Sequence, residues 1–184
     1  IFIGADVGSN ASNSGVGLNT IVGDFAGLNI TSGIGNSALG YLTLSDITTG
    51  SENVAIGQQA LQKGNTTGNI AVGYWALRPI GAPTVGNYNT AVGHQAGRGF
   101  TGSNSVLLGR NAGYGASGDN KLFIDNSDTS SPLIYGEFDN DLVRINGDLE
   151  VTGSFPGSDD QTLSFDGTNL SIVDGNSVDI SSID

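Results

Sequence analysis

Short apolar runs recur along the first two thirds of the chain, each entered through a polar residue and left through a glycine. "NTIVGDFAG" at 19–27 is followed by "NSALGYLTL" at 36–44, "NVAIGQQAL" at 53–61, "NIAVGYWAL" at 69–77, "NTAVGHQAG" at 89–97 and "SVLLGRNAG" at 105–113. The chain opens on "IFIGADVG", the same unit without its first residue. The shared pattern is Asn, any residue, two apolar residues, Gly, two variable residues, a small residue, then Gly or Leu. Its central glycines are Gly4, Gly23, Gly40, Gly57, Gly73, Gly93 and Gly109, spaced 19, 17, 17, 16, 20 and 16 residues apart. Self-similarity at this period is the mark of a repeat architecture.

A second signal falls between the units. "TSGIGN", "TTGSEN", "TTGN" and "TVGNYN" lead into Asn36, Asn53, Asn69 and Asn89. These are turn sequences, in which Gly supplies positive φ and Asn bonds locally to the backbone. Each unit is therefore expected to be a strand, a glycine corner, a short second segment and a turn. A coil of this size cannot bury a face alone. Stacking equivalent coils at about 4.8 Å lets each strand pair with those above and below it. The predicted fold is all-β: a parallel β-solenoid or β-roll of about seven coils. Ala26, Ala60, Ala76, Ala96 and Ala112 suit the interior of a narrow coil. The column Asn19, Asn36, Asn53, Asn69 and Asn89 reads either as an amide ladder between coils or as a set of turn formers. The two columns after the glycine share no chemistry, so they belong to corners or surface. Phe25, Leu42 and Trp75 in the second of them suggest contact with another chain or segment.

Composition divides the chain. Lys and Arg total 6 and Asp and Glu total 18, for a formal charge of −12. In residues 1–118 Asp6, Asp24, Asp46 and Glu52 balance Lys63, Arg78, Arg98 and Arg110, so the excess of acid lies entirely in 119–184. Of 30 glycines, 24 lie in the first part. A boundary is expected near Gly118. Acidity and the lack of a basic patch argue against nucleic acid, because neutralising phosphate requires Lys and Arg. No apolar run approaches a membrane span and no signal peptide is visible. The absence of Cys removes disulfides, thiolate nucleophiles and Cys-ligated zinc. No Met stands at position 1, which points to a start within a longer or processed product. The 37% of hydrophobic residues implies a core that is thin or shared with other chains.

These units resemble the head repeats of YadA-like trimeric autotransporter adhesins, in which "NxVAIG"-type strands stack into a left-handed parallel β-roll. "NVAIGQQAL" and "NTAVGHQAG" carry the likeness most closely, and it covers roughly residues 1–118. The irregular spacing and the Thr-Gly turns look more like a variant found in phage tail fibres and large bacterial fibre proteins. "NKLFIDNSDTSSPLIYGEFDNDLVRINGDLEV" at 120–151 resembles the neck that follows such repeats in tail-fibre proteins. That group often ends in an intramolecular chaperone, and no such segment is read in this sequence. "QTLSFDGTNLSIVDGNSVDISSI" at 161–183 resembles the short β shaft modules of the same fibres. The resemblance implies an intertwined parallel homotrimer, extracellular, on a virion tail fibre or a bacterial surface. The implied organisation is a repeat domain over 1–118, a β-rich neck over 119–153 and a short shaft over 154–184. The tail residues agree: "LFID", "LIYGEF", "LVRI", "LEV", "TLSF" and "LSIV" read as short strands between Asn-Gly, Asp-Asn or Asp-Gly turns. The isolated strands are too thin to stand alone.

Candidate chemistry is sparse. His94 is the single histidine and shares its column with Tyr, Gln and Arg, whereas a zinc site needs three or four ligands and a general base needs a partner. It is read as a variable surface residue. Residues 1–118 hold four acids, and Asp6 and Asp24, although in different columns, could approach across neighbouring coils as the carboxylate pair of a glycosidase, so a polysaccharide depolymerase is the alternative from the enzyme class. Asp125, Asp128, Asp139, Asp141 and Asp166 form oxygen-rich turns that admit a weak Ca2+ site, without matching an EF-hand. Tyr41, Tyr74, Trp75, Tyr88 and His94 form an aromatic set read either as a strip for a cell-surface glycan or as packing between subunits. Thr48–Thr49 and Thr66–Thr67 suggest an ice-binding solenoid, but Val85 and Thr101–Gly102 break the regularity. The leading expectation is a non-enzymatic structural segment of a homotrimeric extracellular fibre. It would hold a receptor-binding tip away from a surface, with itself and a surface glycan or host receptor as partners and no cofactor.

Overall fold

The structure, a computed structural model, describes residues 1–8, 17–81 and 85–150, and the backbone of two strands at 162–165 and 170–173. It is all-β. Eight strands run parallel in sequence order: β1 (Phe2–Ile3), β2 (Thr20–Val22), β3 (Ser37–Leu39), β4 (Val54–Ile56), β5 (Ile70–Val72), β6 (Thr90–Val92), β7 (Val106–Leu108) and β8 (Lys121–Ile124). Each pairs with the next in strict register, so Ile21, Ala38, Ala55, Ala71, Ala91, Leu107 and Phe123 stack in one column. All seven are buried. This is the parallel β-solenoid of about seven turns expected from the repeat.

The amide ladder is formed and buried. The Oδ1 of Asn19 accepts from the backbone N of Asn36 at 2.8 Å, and the same bond recurs from Asn53 to Asn36, Asn69 to Asn53, Asn89 to Asn69 and Ser105 to Asn89 at 2.9–3.0 Å. Each Nδ2 donates to a turn carbonyl, of Gly33, Gly50, Thr66, Gly86 and Gly102 in order. One side chain thus satisfies an acceptor and a donor that the turn would otherwise bury unpaired.

The corner glycines have φ between +113° and +140°, a region closed to side chains. A Cβ on Gly73 would lie 2.2 Å from the carbonyl oxygen of Gly93, and Gly23, Gly40, Gly57 and Gly93 face the next coil in the same way. The second variable column behaves differently. Asp6, Phe25, Leu42, Gln59, Trp75, Gln95 and Asn111 all have φ between +52° and +61°, ordinary left-handed backbone that an L residue adopts at a cost of about 1–2 kcal/mol. The N–H of each from Phe25 on donates to the preceding coil (Gln95 to Tyr74 O at 2.7 Å, Asn111 to His94 O at 2.9 Å), which offsets that cost. The turn demands a conformation here but leaves the side chain free.

The Gly/Leu position, four after the corner, is also left-handed, and its size is set by the strand. Where the strand centre is large, as at Phe2, Ile21 and Leu107, the position is Gly8, Gly27 and Gly113; a Cβ on each would lie 2.5–2.6 Å from that large side chain. Where the centre is Ala38, Ala55 or Ala71, the position is Leu44, Leu61 or Leu77, all buried. Ala91 faces Gly97, and the space is filled by Leu77 and Leu107 from the coils on either side. The core is therefore packed by exchange of volume between two columns. Leu107→Ala alone is expected to cost about 2–5 kcal/mol. Adding Gly113→Leu should recover part of that loss, although Gly113→Leu alone destabilises. Urea denaturation of the four species checks this, and strictly additive losses would contradict it.

The parallel ladder crosses residue 118, where charge and glycine content suggest a boundary. β8 pairs with β7 as an eighth rung. The sheet then turns antiparallel through β9 (Ile134–Glu137) and β10 (Leu142–Ile145). "LEV" forms no strand over its described residues, 149–150. The first compact unit spans Ile1–Asp148 and the second Leu149–Asp184. In the second unit β11 (Thr162–Phe165) pairs antiparallel with β12 (Leu170–Val173). Asp166 and the stretch "SFPGSDD" at 154–160, which reads as a hinge between neck and shaft, lie outside the described residues.

Candidate functional site

Strand alternation turns the residues on either side of each buried centre outward. One outward column is Thr20, Ser37, Val54, Ile70, Thr90 and Val106. The other is Ile3, Val22, Leu39, Ile56, Val72, Val92, Leu108 and Ile124. The second column is aliphatic at every rung, and Ile3 (58%), Leu39 (52%), Ile56 (40%) and Val92 (41%) are exposed. At Ser37, the smallest side chain in its column, the face dips into a recess of about 220 Å3 lined by Thr20, Val22, Leu39 and Ile56. The aliphatic stripe crosses eight rungs, roughly 34 Å, and exposed apolar patches of this kind are where proteins make contacts.

Beyond the glycine corner the chemistry changes. Tyr74 stacks on Trp75 with ring centroids 4.5 Å apart and on His94 of the next coil at 5.1 Å. The Arg78 and Arg98 guanidinium carbons lie 4.8 and 4.2 Å from the Trp75 ring centroid, and that of Arg98 lies 5.5 Å from Tyr114. Arg78, Arg98 and Tyr114 occupy one column, five residues after successive corner glycines. Arg78 Nε donates to Gln62 Oε1 at 3.0 Å and Arg98 Nη1 to Gln95 Oε1 at 3.1 Å. Arg98 Nε and Trp75 Nε1 are buried without an acceptor; a guanidinium held over an indole ring takes its contact from the ring instead.

Of the expected aromatic strip, Tyr74, Trp75 and His94 come together. Tyr41 sits two coils away with its ring edge-on to Phe25 at 6.0 Å. Tyr88 lies in the turn before Asn89, against Gly68. The arginines and Tyr114 were visible in the sequence only to a reading that carried the repeat alignment to its fifth column.

The carboxylates are occupied locally. Asp24 Oδ1 accepts from the backbone N of Ala5 at 2.9 Å and so ties two coils together. Asp125 accepts from the Ser127 hydroxyl at 2.6 Å and the Leu133 amide at 2.7 Å, which hold its carboxyl below the usual range. The Tyr135 hydroxyl, at 2.7 Å, then the Asn140 amide and Lys121, do the same for Glu137. Among the described residues no three of His, Cys, Asp and Glu gather into a metal site, and no helix is long and apolar enough to cross a membrane. The two threonine pairs stand out of step: Asn53 Nδ2 reaches Thr66 O where Asn36 Nδ2 reaches Gly50 O. Thr66 therefore stacks on Gly50 rather than on a threonine, and the pairs form no common column.

No protein-family model, curated protein or solved structure matches the chain.

Proposed function

We propose that this chain is a structural segment of a homotrimeric extracellular fibre, of the tail-fibre or surface-adhesin type, that serves attachment to a cell surface. The observation that carries the reading is the outward aliphatic column from Ile3 to Ile124, which asks for an apolar partner along its whole length. Identical chains side by side offer the same stripe in the same register, so each rung would meet its own equivalent. The number three comes from the resemblance of the repeats to YadA-like heads. The role is mechanical: stacked coils make a rod that spaces and presents a binding surface, on a virion or a bacterial exterior.

The experiment is a mass in solution. Light scattering is expected to give three times the 18.6 kDa of the chain; a stable species of 18.6 kDa would overturn the reading. Ile56→Glu should dissociate the assembly by burying a charge in the apolar seam. Asn65→Glu, on an exposed turn, should leave the mass unchanged.

A further inference from the structure

We infer that Arg78 and Arg98, set against Trp75 and flanked by Tyr74 and Tyr114, form a binding site for a carboxylated sugar of an acidic surface polysaccharide. The inference deepens the attachment reading above and rests on it.

Charge carries it first. Between Asn53 and Gly118 the chain holds Lys63, Arg78, Arg98, Arg110 and His94 and not one Asp or Glu. A protein of formal charge −12 therefore keeps four successive coils free of acid. Among the described residues the ion pair is Lys121 with Glu137, so no described carboxylate answers Arg78 or Arg98. Two guanidinium groups lie against one indole ring, at 4.8 and 4.2 Å from its centroid. Both guanidinium groups are cationic and neither meets a described carboxylate, so an anion beside them is attracted to both.

Hydrogen-bonding capacity comes next. Each guanidinium gives one N–H to a glutamine, which fixes its orientation; with Arg78 Nε so used and Arg98 Nε buried, the fork left for a ligand is that of the terminal nitrogens. That planar fork matches a carboxylate in bidentate fashion. The rings complete the site. Tyr74, stacked on both Trp75 and His94, holds the indole in place, and Tyr114, beyond Arg98, adds an aromatic ring of the kind that takes the C–H face of a sugar. All of these residues follow the glycine corner, whereas the aliphatic columns precede it, so the assembly seam and the site use different walls of the coil.

Trp75 is the only tryptophan, so its emission reports directly on the site. The assembled protein would be titrated with oligogalacturonate, with a neutral malto-oligosaccharide and dextran sulfate alongside. A saturable change in emission with oligogalacturonate is expected, absent with the malto-oligosaccharide and suppressed by salt. Arg98→Gln and Arg78→Gln should each weaken binding about tenfold or more, and Arg98→Lys by less. Circular dichroism and mass would show that these variants remain folded and assembled. No saturable change with oligogalacturonate, an equal response to the neutral sugar, tighter binding of dextran sulfate, or wild-type affinity in both glutamine variants would overturn the assignment. A monomeric mass removes the fibre reading without altering the titration, so the two failures are distinguishable.

Discussion

Gly73→Ala is expected to break the solenoid between its fifth and sixth coils. The residue has φ +138°, and the added methyl would stand 2.2 Å from the carbonyl oxygen and 2.6 Å from the carbonyl carbon of Gly93. Both obstacles are backbone, so no rotamer change relieves them. Moving Gly93 away would also open the bond from its own N–H to Val72 O, 2.8 Å long, and the ladder beyond it. Strain and overpacking together should cost about 3–5 kcal/mol, a large part of the 5–15 kcal/mol or so that holds an ordinary domain folded. Gly115→Ala is the internal comparison. Its φ is +64° and nothing lies within 4 Å of the new methyl, so only the left-handed backbone cost of about 1–2 kcal/mol applies. Thermal and urea unfolding should separate the two clearly. Equal losses would show that the close approach of the coils does not govern stability.

Asn53→Ala is the second large effect. The side chain accepts from the backbone N of Asn69 at 3.0 Å and donates to Thr66 O at 2.8 Å and Asn36 Oδ1 at 3.0 Å. Alanine leaves the Asn69 amide and the Thr66 carbonyl without those partners in the buried interior, at about 1–3 kcal/mol for each orphaned group. The expected total is of order 4 kcal/mol. Asn53→Ser should lose less, because Ser105 at the seventh rung still accepts from Lys121 N at 2.9 Å and donates to Ser103 O. Asn65→Ala removes bonds to Thr48 and Thr49 of comparable length on an exposed turn, where water replaces the amide and the loss should stay below about 1 kcal/mol. Hydrogen exchange would locate the damage: the Asn69 amide should lose protection in Asn53→Ala and keep it in Asn65→Ala.

The fold was legible because two of its requirements narrow the choice of residue. The corner needs φ near +130° and a bare Cα, so Gly recurs at every coil. The turn needs one side chain that both donates and accepts, so Asn recurs until Ser105. The eighth rung was hidden for the converse reason. Lys121 stands where Asn would, Asp125 stands where the corner Gly would, and only Leu122-Phe123-Ile124 keeps the apolar run. Acidic side chains beyond residue 118 change the surface and leave the strand pairing untouched, so a boundary drawn from charge does not coincide with the end of the sheet. The candidate site was half legible. Tyr74, Trp75 and His94 could be collected as aromatics, but their separation from Tyr41 and Tyr88 depends on which wall of the coil each occupies. The arginines join Trp75 only because residues 75, 78 and 98 meet across neighbouring coils.

The side-chain ladder also bears on how such a rod takes a pull. Its junctions lie in series, so every coil bears the same tension and the weakest junction sets the strength of the whole. From Asn19 to Asn89 each junction has an amide that accepts from the next backbone and holds the intervening turn. Past Ser105 a hydroxyl accepts from Lys121 and donates to its own turn at Ser103, and Arg110 and Asn126 add bonds across the same junction. Length added in the Asn-bearing coils would extend such a rod by repeating one kind of junction, so its reach could grow without any change in how each coil is held.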